Sequence, residues 1–327
     1  MPFGLDPLGR RDRRGQVGAN EQDLAPGHRR APGCCYLLKM RRRRLFAALL
    51  AVVSTAAAPV PVELPEPFSS WNRPVSPFRI AGNLYYVGAN EIAAYLFVTP
   101  EGHILLDGGF EQTAPLIKQS VEALGFSLDD VEILLNSHAH SDHAGGLAAL
   151  REWSGAELVA SIGDAPLLEA GGEEPFPFPP VLPDRLIKDR DTVELGGTVL
   201  TGQVTAGHTP GCTTWTTALE VDGEPRAAVF ICSVNALSEM DLLSPDSAYP
   251  EGRIQAFERS LERLADMPCE LFLGSHGSFF LLEKKRRELE TAEKNPFVDP
   301  ALCRRHVEAK RDRFRAELAR QRAASQE

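Results

Sequence analysis

Residues 136–146 read Asn-Ser-His-Ala-His-Ser-Asp-His-Ala-Gly-Gly, which places three histidines and a carboxylate within six residues. A run so dense in imidazole and carboxylate does not build an apolar core. It requires a loop on which several donors converge. On a strand-to-helix loop alternate residues face the same way, so His138 and His140 can share one ion while Asp142 and His143 turn towards a neighbouring position. Imidazole and carboxylate are ordinary zinc ligands at about 2.0–2.2 Å. His208 and His276 each follow an apolar stretch that reads as a strand, and each stands beside a glycine. Beyond residue 60 only His103 and His306 lie outside this set. Six such ligands suit two open sites better than one closed tetrahedral structural site.

The remaining pattern says what could carry these ligands. Short apolar runs rich in β-branched and aromatic residues read as strands at Leu84–Val87, Ala93–Val98, His103–Leu106, Val131–Leu135 and Glu157–Ser161. A second series follows at Val199–Val204, Thr213–Val221, Ala227–Cys232 and Leu271–Leu273. Helical periodicity covers Thr113–Leu124, Leu147–Trp153, Asp164–Ala170, Ile254–Leu264 and Phe279–Glu293. A last helix starts at Asp299, with Pro300 in its first turn. The Pro-rich residues 59–77 read as an extended lead-in arm, and Glu173–Pro183 as a Pro/Phe-rich loop. Strands followed by helices, twice over, predict an α/β chain folded as a four-layer αββα sandwich.

Charge and the N-terminus narrow the function classes. Residues 1–60 hold 11 of the 35 Lys+Arg and 4 of the 45 Asp+Glu, leaving the rest with 24 basic and 41 acidic residues, a formal net of −17. A body this acidic repels a phosphate backbone, so no nucleic-acid partner is expected. Met40 opens a basic stretch (Arg41–Arg44), an apolar run (Leu45–Val53) and a small-residue segment ending Ala-Ala-Ala-Pro, which reads as a signal peptide over residues 40–60. That run is too short for a bilayer, which needs about 20 residues, so no stable membrane insertion is expected. Residues 1–39 read as disordered or as a mis-assigned start, and 61–327 as a single metallo-hydrolase domain. Periplasmic or secreted location follows. Cys212, Cys232, Cys269 and Cys303 lie in the body, and an even number in an exported chain suggests two disulfides among three possible pairings. No heptad or exposed apolar stripe marks an oligomer, so a monomer is expected.

Over residues 70–320 the chain resembles the metallo-β-lactamase superfamily, and within it subclass B3. The stretch His208-Thr-Pro-Gly-Cys-Thr-Thr-Trp215 and the tail Asn295-Pro-Phe-Val-Asp-Pro300 carry this resemblance beside the histidine cluster. It implies one zinc on His138, His140 and His208, and a second on Asp142, His143 and His276. It implies disulfides Cys269–Cys303 and Cys212–Cys232, and substrate contacts from Ser233 and Asn235. The activity implied is hydrolysis of β-lactam amides by a zinc-bound hydroxide that Asp142, itself a ligand, also orients. Rival readings are a two-zinc thioesterase or lactonase on the same fold, or a non-catalytic zinc-binding protein. The first two commonly bridge their metals with an aspartate after a strand, and Val229-Phe-Ile-Cys-Ser-Val-Asn235 contains none.

Overall fold

The computed structural model describes residues 63–326, so the N-terminal reading of residues 1–60 lies outside them. Seven strands form the first sheet in sequential order: β1 (Phe78–Ala81), β2 (Leu84–Tyr86), β3 (Tyr95–Thr99), β4 (Gly102–Leu106), β5 (Val131–Leu135), β6 (Glu157–Ser161) and β7 (Arg185–Ile187). β1 to β4 meander antiparallel, and β4 to β7 run parallel through helical crossovers. The second sheet has the order β12-β11-β10-β9-β8, from β8 (Thr192–Leu195), β9 (Thr198–Val204), β10 (Thr213–Val221), β11 (Glu224–Ile231) and β12 (Leu271–Gly274). Only β11 and β12 pair in parallel there.

Period-two alternation explains the layers. In β3, β4 and β5 the residues Phe97, Leu106 and Leu135 point into the core shared with the second sheet, while Leu96, Leu105 and Leu134 point to the opposite side. That other face is covered by α2 (Ala114–Ala123) and α4 (Leu147–Ser154) through Ile117, Val121, Leu147 and Leu150. Between the sheets, Phe230 packs against Tyr95 and Phe97 with ring centres 4.9 and 5.4 Å apart. Outside the second sheet lie α6 (Arg253–Asp266) and α8 (Pro300–Ala324), joined by the stacked rings of Phe257 and Phe314. The αββα sandwich is the observed architecture. Asp299 caps α8 by accepting from Leu302 N–H at 2.9 Å.

The departures have local causes. The lead-in arm is not extended throughout: Phe68–Trp71 forms a single helical turn (α1), and Phe78–Ala81 joins the first sheet. Strands β7 and β8 flank the polar Asp189-Arg190-Asp191 turn, whose charges hide their short apolar pattern. The helix expected over Phe279–Glu293 is only Leu282–Glu288, α7, because Leu281 adopts a left-handed φ of 59° and stops it from starting earlier. Phe279 and Phe280 are thereby freed to pack inward.

Candidate metal centre

The ligand loop leaves the end of β5, passes His138 and His140, and enters the short helix α3 (Ser141–Ala144), which carries Asp142 and His143. Two buried carboxylates hold it. Asp107 Oδ1 accepts from Ser137 N–H at 2.6 Å, and the backbone at Asp107 is left-handed, φ 66°, to present it. Asp164 accepts from Ala139 N–H at 2.9 Å, the residue between the first two histidines. Where α3 hands over to α4, Gly146 lies so close to Gly108 that an added Cβ would stand 2.2 Å from the Gly108 carbonyl oxygen. The second sheet clamps the loop as well: Thr213 N–H donates to Ser137 O at 2.8 Å, and Trp215 Nε1–H to Asn136 O at 3.1 Å.

The two distant histidines arrive from the second sheet. His208 lies in the turn between β9 and β10, where its Nδ1–H donates to Asn235 O at 2.9 Å. That bond leaves Nε2 as the lone-pair atom. Asp164 reaches this turn too, accepting from Thr209 Oγ1 at 2.8 Å and Gly211 N–H at 2.6 Å. His276 follows β12. Tyr95 O–H donates to Gly274 O at 2.6 Å, and Ala93 N–H donates to Ser275 O at 3.0 Å, so the β2–β3 hairpin sets its position. Trp71 packs edge-on against the His276 ring at 5.8 Å, and Phe279 lies 4.9 Å away.

Two donor groups result. One ligand atom from each of His138, His140 and His208 falls within 4.8 Å of the others, and the same holds for His138, Asp142 and His143. His276 Nε2 lies 3.3 Å from His143 Nε2 and 3.6 Å from Asp142 Oδ2, closing a second set with His143 and Asp142, themselves 3.1 Å apart. Burial, then the neighbouring imidazoles, holds His138 and His208 well below the ordinary histidine range, and burial lowers His140. Neutral imidazoles with free lone pairs are the metal-binding form. Burial and His143 push His276 down to about 3. For His143, burial favours the neutral form, but Asp142 and Asp107 outweigh it and push the imidazole up to about 10. Burial likewise works against charge on Asp142, yet His143 and His276 hold its carboxyl below the usual range.

His143 Nδ1 faces Asp107 Oδ2, and His276 Nδ1 faces Glu91 Oε1, each at 3.6 Å. Those carboxylates favour the ring protons on Nδ1, so the Nε2 atoms of His143 and His276 face each other and Asp142. The second proton that His143 holds on Nε2 against Asp142 is the one a metal ion would displace, and the donor set then fits a cation. His138 and His143 are buried, whereas His140, Asp142 and His276 keep an open edge.

A family profile described as the metallo-β-lactamase superfamily matches residues 87–220. The FEZ-1 metallo-β-lactamase of Legionella gormanii superposes with a TM-score of 0.74 at 40% identity, over 77% of this chain and 98% of that one. The chain belongs to the metallo-β-lactamase superfamily. BJP-1, a subclass B3 metallo-β-lactamase of Bradyrhizobium japonicum, matches at 35% identity over 78% of this chain and 97% of its own, with a TM-score of 0.73. Curated relatives match more narrowly. A hydroxyacylglutathione hydrolase of Hyphomonas neptunium is 37% identical over 76 residues, and a probable metallo-hydrolase of Burkholderia pseudomallei is 29% identical over 147. The chain spans 25% and 49% of their lengths. The resemblance to the superfamily thus stands, and membership together with the histidine-rich groups makes this a metal-binding hydrolase fold.

All six expected ligands of the metallo-β-lactamase pattern come together. Both expected disulfides, Cys212–Cys232 and Cys269–Cys303, are present in the structure. Ser233 and Asn235 lie beyond β11. Ser233 is 1% exposed, and its Oγ accepts from Asn235 Nδ2 at 3.1 Å, so Asn235 is the more open of the two. Sequence reading missed Asp107 and Asp164. Asp107 is signalled only by Asp-Gly-Gly after a strand, and Asp164 has the pattern of an ordinary helix start.

Proposed function

We propose that this chain is an exported β-lactamase that works with two zinc ions, one held by His138, His140 and His208 and the other by Asp142, His143 and His276. Bound zinc supplies Lewis acidity and lowers the pKa of water from about 15.7 to about 7. The protein's own contribution is orientation. Asp107, Glu91 and the Asn235 carbonyl face the Nδ1 atoms of His143, His276 and His208, so each imidazole is aimed through Nε2. Asp142 keeps an edge open to the cleft, where its carboxylate can accept from the attacking water and orient it. Asn235, with Ser233 behind it, is the proposed contact for the substrate carboxylate. No side-chain nucleophile is required.

The reading rests chiefly on the near-full-length likeness to β-lactamases, against a likeness over a quarter of the hydroxyacylglutathione hydrolase. Ser233 supports it, standing where thioesterases of this fold commonly bridge two metals with an aspartate. The two disulfides support export, because such bridges persist in oxidising compartments. Among the described residues no helix is long and apolar enough to cross a membrane. Residues 40–60 are proposed as the signal and 61–327 as the hydrolase domain.

The test is hydrolysis of a penicillin, a cephalosporin, a carbapenem, a thioester and a homoserine lactone, each with and without chelator. Chelator-sensitive β-lactam cleavage far above the others is expected. Cleavage of the thioester or lactone alone would overturn the reading.

A further inference from the structure

Lys310 lies three turns into α8 and reaches back towards the metal centre. Its Nζ donates to Asn235 Oδ1 at 2.5 Å and stands 4.3 Å from the centre of the Phe279 ring. These two neighbours lead to different ligand groups. The Asn235 carbonyl accepts from His208, and the Phe279 ring packs 4.9 Å from His276. Arg313, one turn further along, donates from Nε to Ala236 O at 3.3 Å and so fixes the register of α8 against the 233–236 segment. The position of Lys310 beside Asn235 is therefore built by two contacts.

Lys310 has no direct ion pair. No carboxylate lies within 4.0 Å of it among the described residues, although the side chain is half-buried; Glu91 acts on it from further away and already accepts from Ser278 N–H while facing His276. An ammonium in that setting is costly unless an anion completes it. Donor counting points the same way. Lysine carries three N–H donors, and Asn235 Oδ1 takes one while the Phe279 face receives the charge without accepting a conventional hydrogen bond. Asn235 Nδ2 has two donors and gives one to Ser233 Oγ. Because lysine only donates, Oδ1 of Asn235 must face it, which turns Nδ2 towards Ser233. A spare proton on each of two adjacent groups makes a fork for the two oxygens of a carboxylate.

We propose that Lys310 and Asn235 Nδ2 together form the clamp for the carboxylate that penicillins and cephalosporins carry beside the lactam nitrogen, with the ammonium supplied by the C-terminal helix. Lys310 is thus a specificity-determining residue that holds the substrate's anion while the metal centre faces its amide. The inference rests on the β-lactamase reading above.

The test compares a cephalosporin with its neutral methyl ester on the zinc-loaded full chain, for wild type, K310M and K310R. K310M is expected to raise KM for the acid by about tenfold to a hundredfold, with kcat changed by less than about threefold. KM for the ester should stay put, and K310R should restore most of the acid's affinity. Zinc content and the unfolding midpoint are measured on the same samples. An equal KM rise for acid and ester in K310M would overturn the clamp and leave Lys310 a structural tie. So would a wild-type acid-to-ester KM ratio near one, a readout that needs no variant to fold. If wild-type enzyme cleaves both compounds, the β-lactamase reading stands whatever the variants do. If it cleaves neither but opens a thioester, that reading and the clamp fall together.

Discussion

The two halves of the sandwich hold their ligands by different means. In the first, four ligands share one short loop, fastened from below by the carboxylates of Asp107 and Asp164. In the second, His208 and His276 arrive singly on separate loops, and both disulfides of the described chain are found there. Ligands on one turn inherit their spacing from the local backbone and need only hydrogen bonds to set its pose. A lone ligand inherits nothing from its neighbours, so its loop must be tied by longer-range links. Asp164 is the seam, since it takes donors from Ala139 in one half and from Thr209 and Gly211 in the other.

This contrast can be broken by experiment. Replacing Cys269 and Cys303 together by alanine opens a link spanning 34 residues and should cost about 4 kcal/mol of stability on chain-entropy grounds, while zinc affinity changes only a few-fold because Tyr95 and Ala93 still hold the turn before His276. Urea unfolding and a zinc competition titration read the two numbers. A large loss of affinity would mean that the bridge sets ligand geometry directly. Asp164→Ala should lower stability and zinc affinity together. It strands three buried donors, costing about 3 kcal/mol, and should weaken zinc binding by about tenfold to a hundredfold. Unchanged affinity there would remove Asp164 from its role as the seam.

The third test is a pH profile. In the second half, burial, then Lys310, pushes His306 down to about 3 from its ordinary 6.5. The fold keeps His306 neutral while the unfolded chain takes up a proton below 6.5. Its contribution is therefore full above that pH and drains as pH falls towards 3. Between pH 6.5 and 5 the wild type should lose about 1.5 kcal/mol relative to His306→Leu, measured by urea midpoints at each pH. Parallel profiles would sink the assignment. Asp164, in the first half, bends the other way. Burial raises its carboxyl to about 6, so its contribution is full below the ordinary value of 3.8 and is lost as pH rises through 6.

What could be read from sequence follows the same division. The strands Val131–Leu135, Glu157–Ser161 and Thr213–Val221 were legible to the residue, because buried β-branched runs ended by turn residues carry their own boundaries. The ligand set was legible because its density is local and histidine is scarce elsewhere. Asp164 was not, because all its partners lie far away in sequence and an aspartate before Ala-Pro reads equally well as a helix start. Lys310 sits in a helix crowded with arginines, where one cation resembles another until Asn235 and Phe279 are seen beside it. The broken helix at Leu281 was hidden because its periodicity continues through a residue whose φ has changed sign.

One tie in the fold also governs timing. Tyr95 and Ala93, early in the chain, hold Gly274 and Ser275 beside the last ligand, His276. During synthesis the first ligand loop has emerged by residue 146, its ties to Asp164, Thr213 and Trp215 follow, and the second donor group stays incomplete until β12 has emerged and slotted against the β2–β3 hairpin. The centre is therefore completed by a late docking event between segments far apart in the chain, and a nascent or C-terminally truncated polypeptide carries most of the ligands without the finished site.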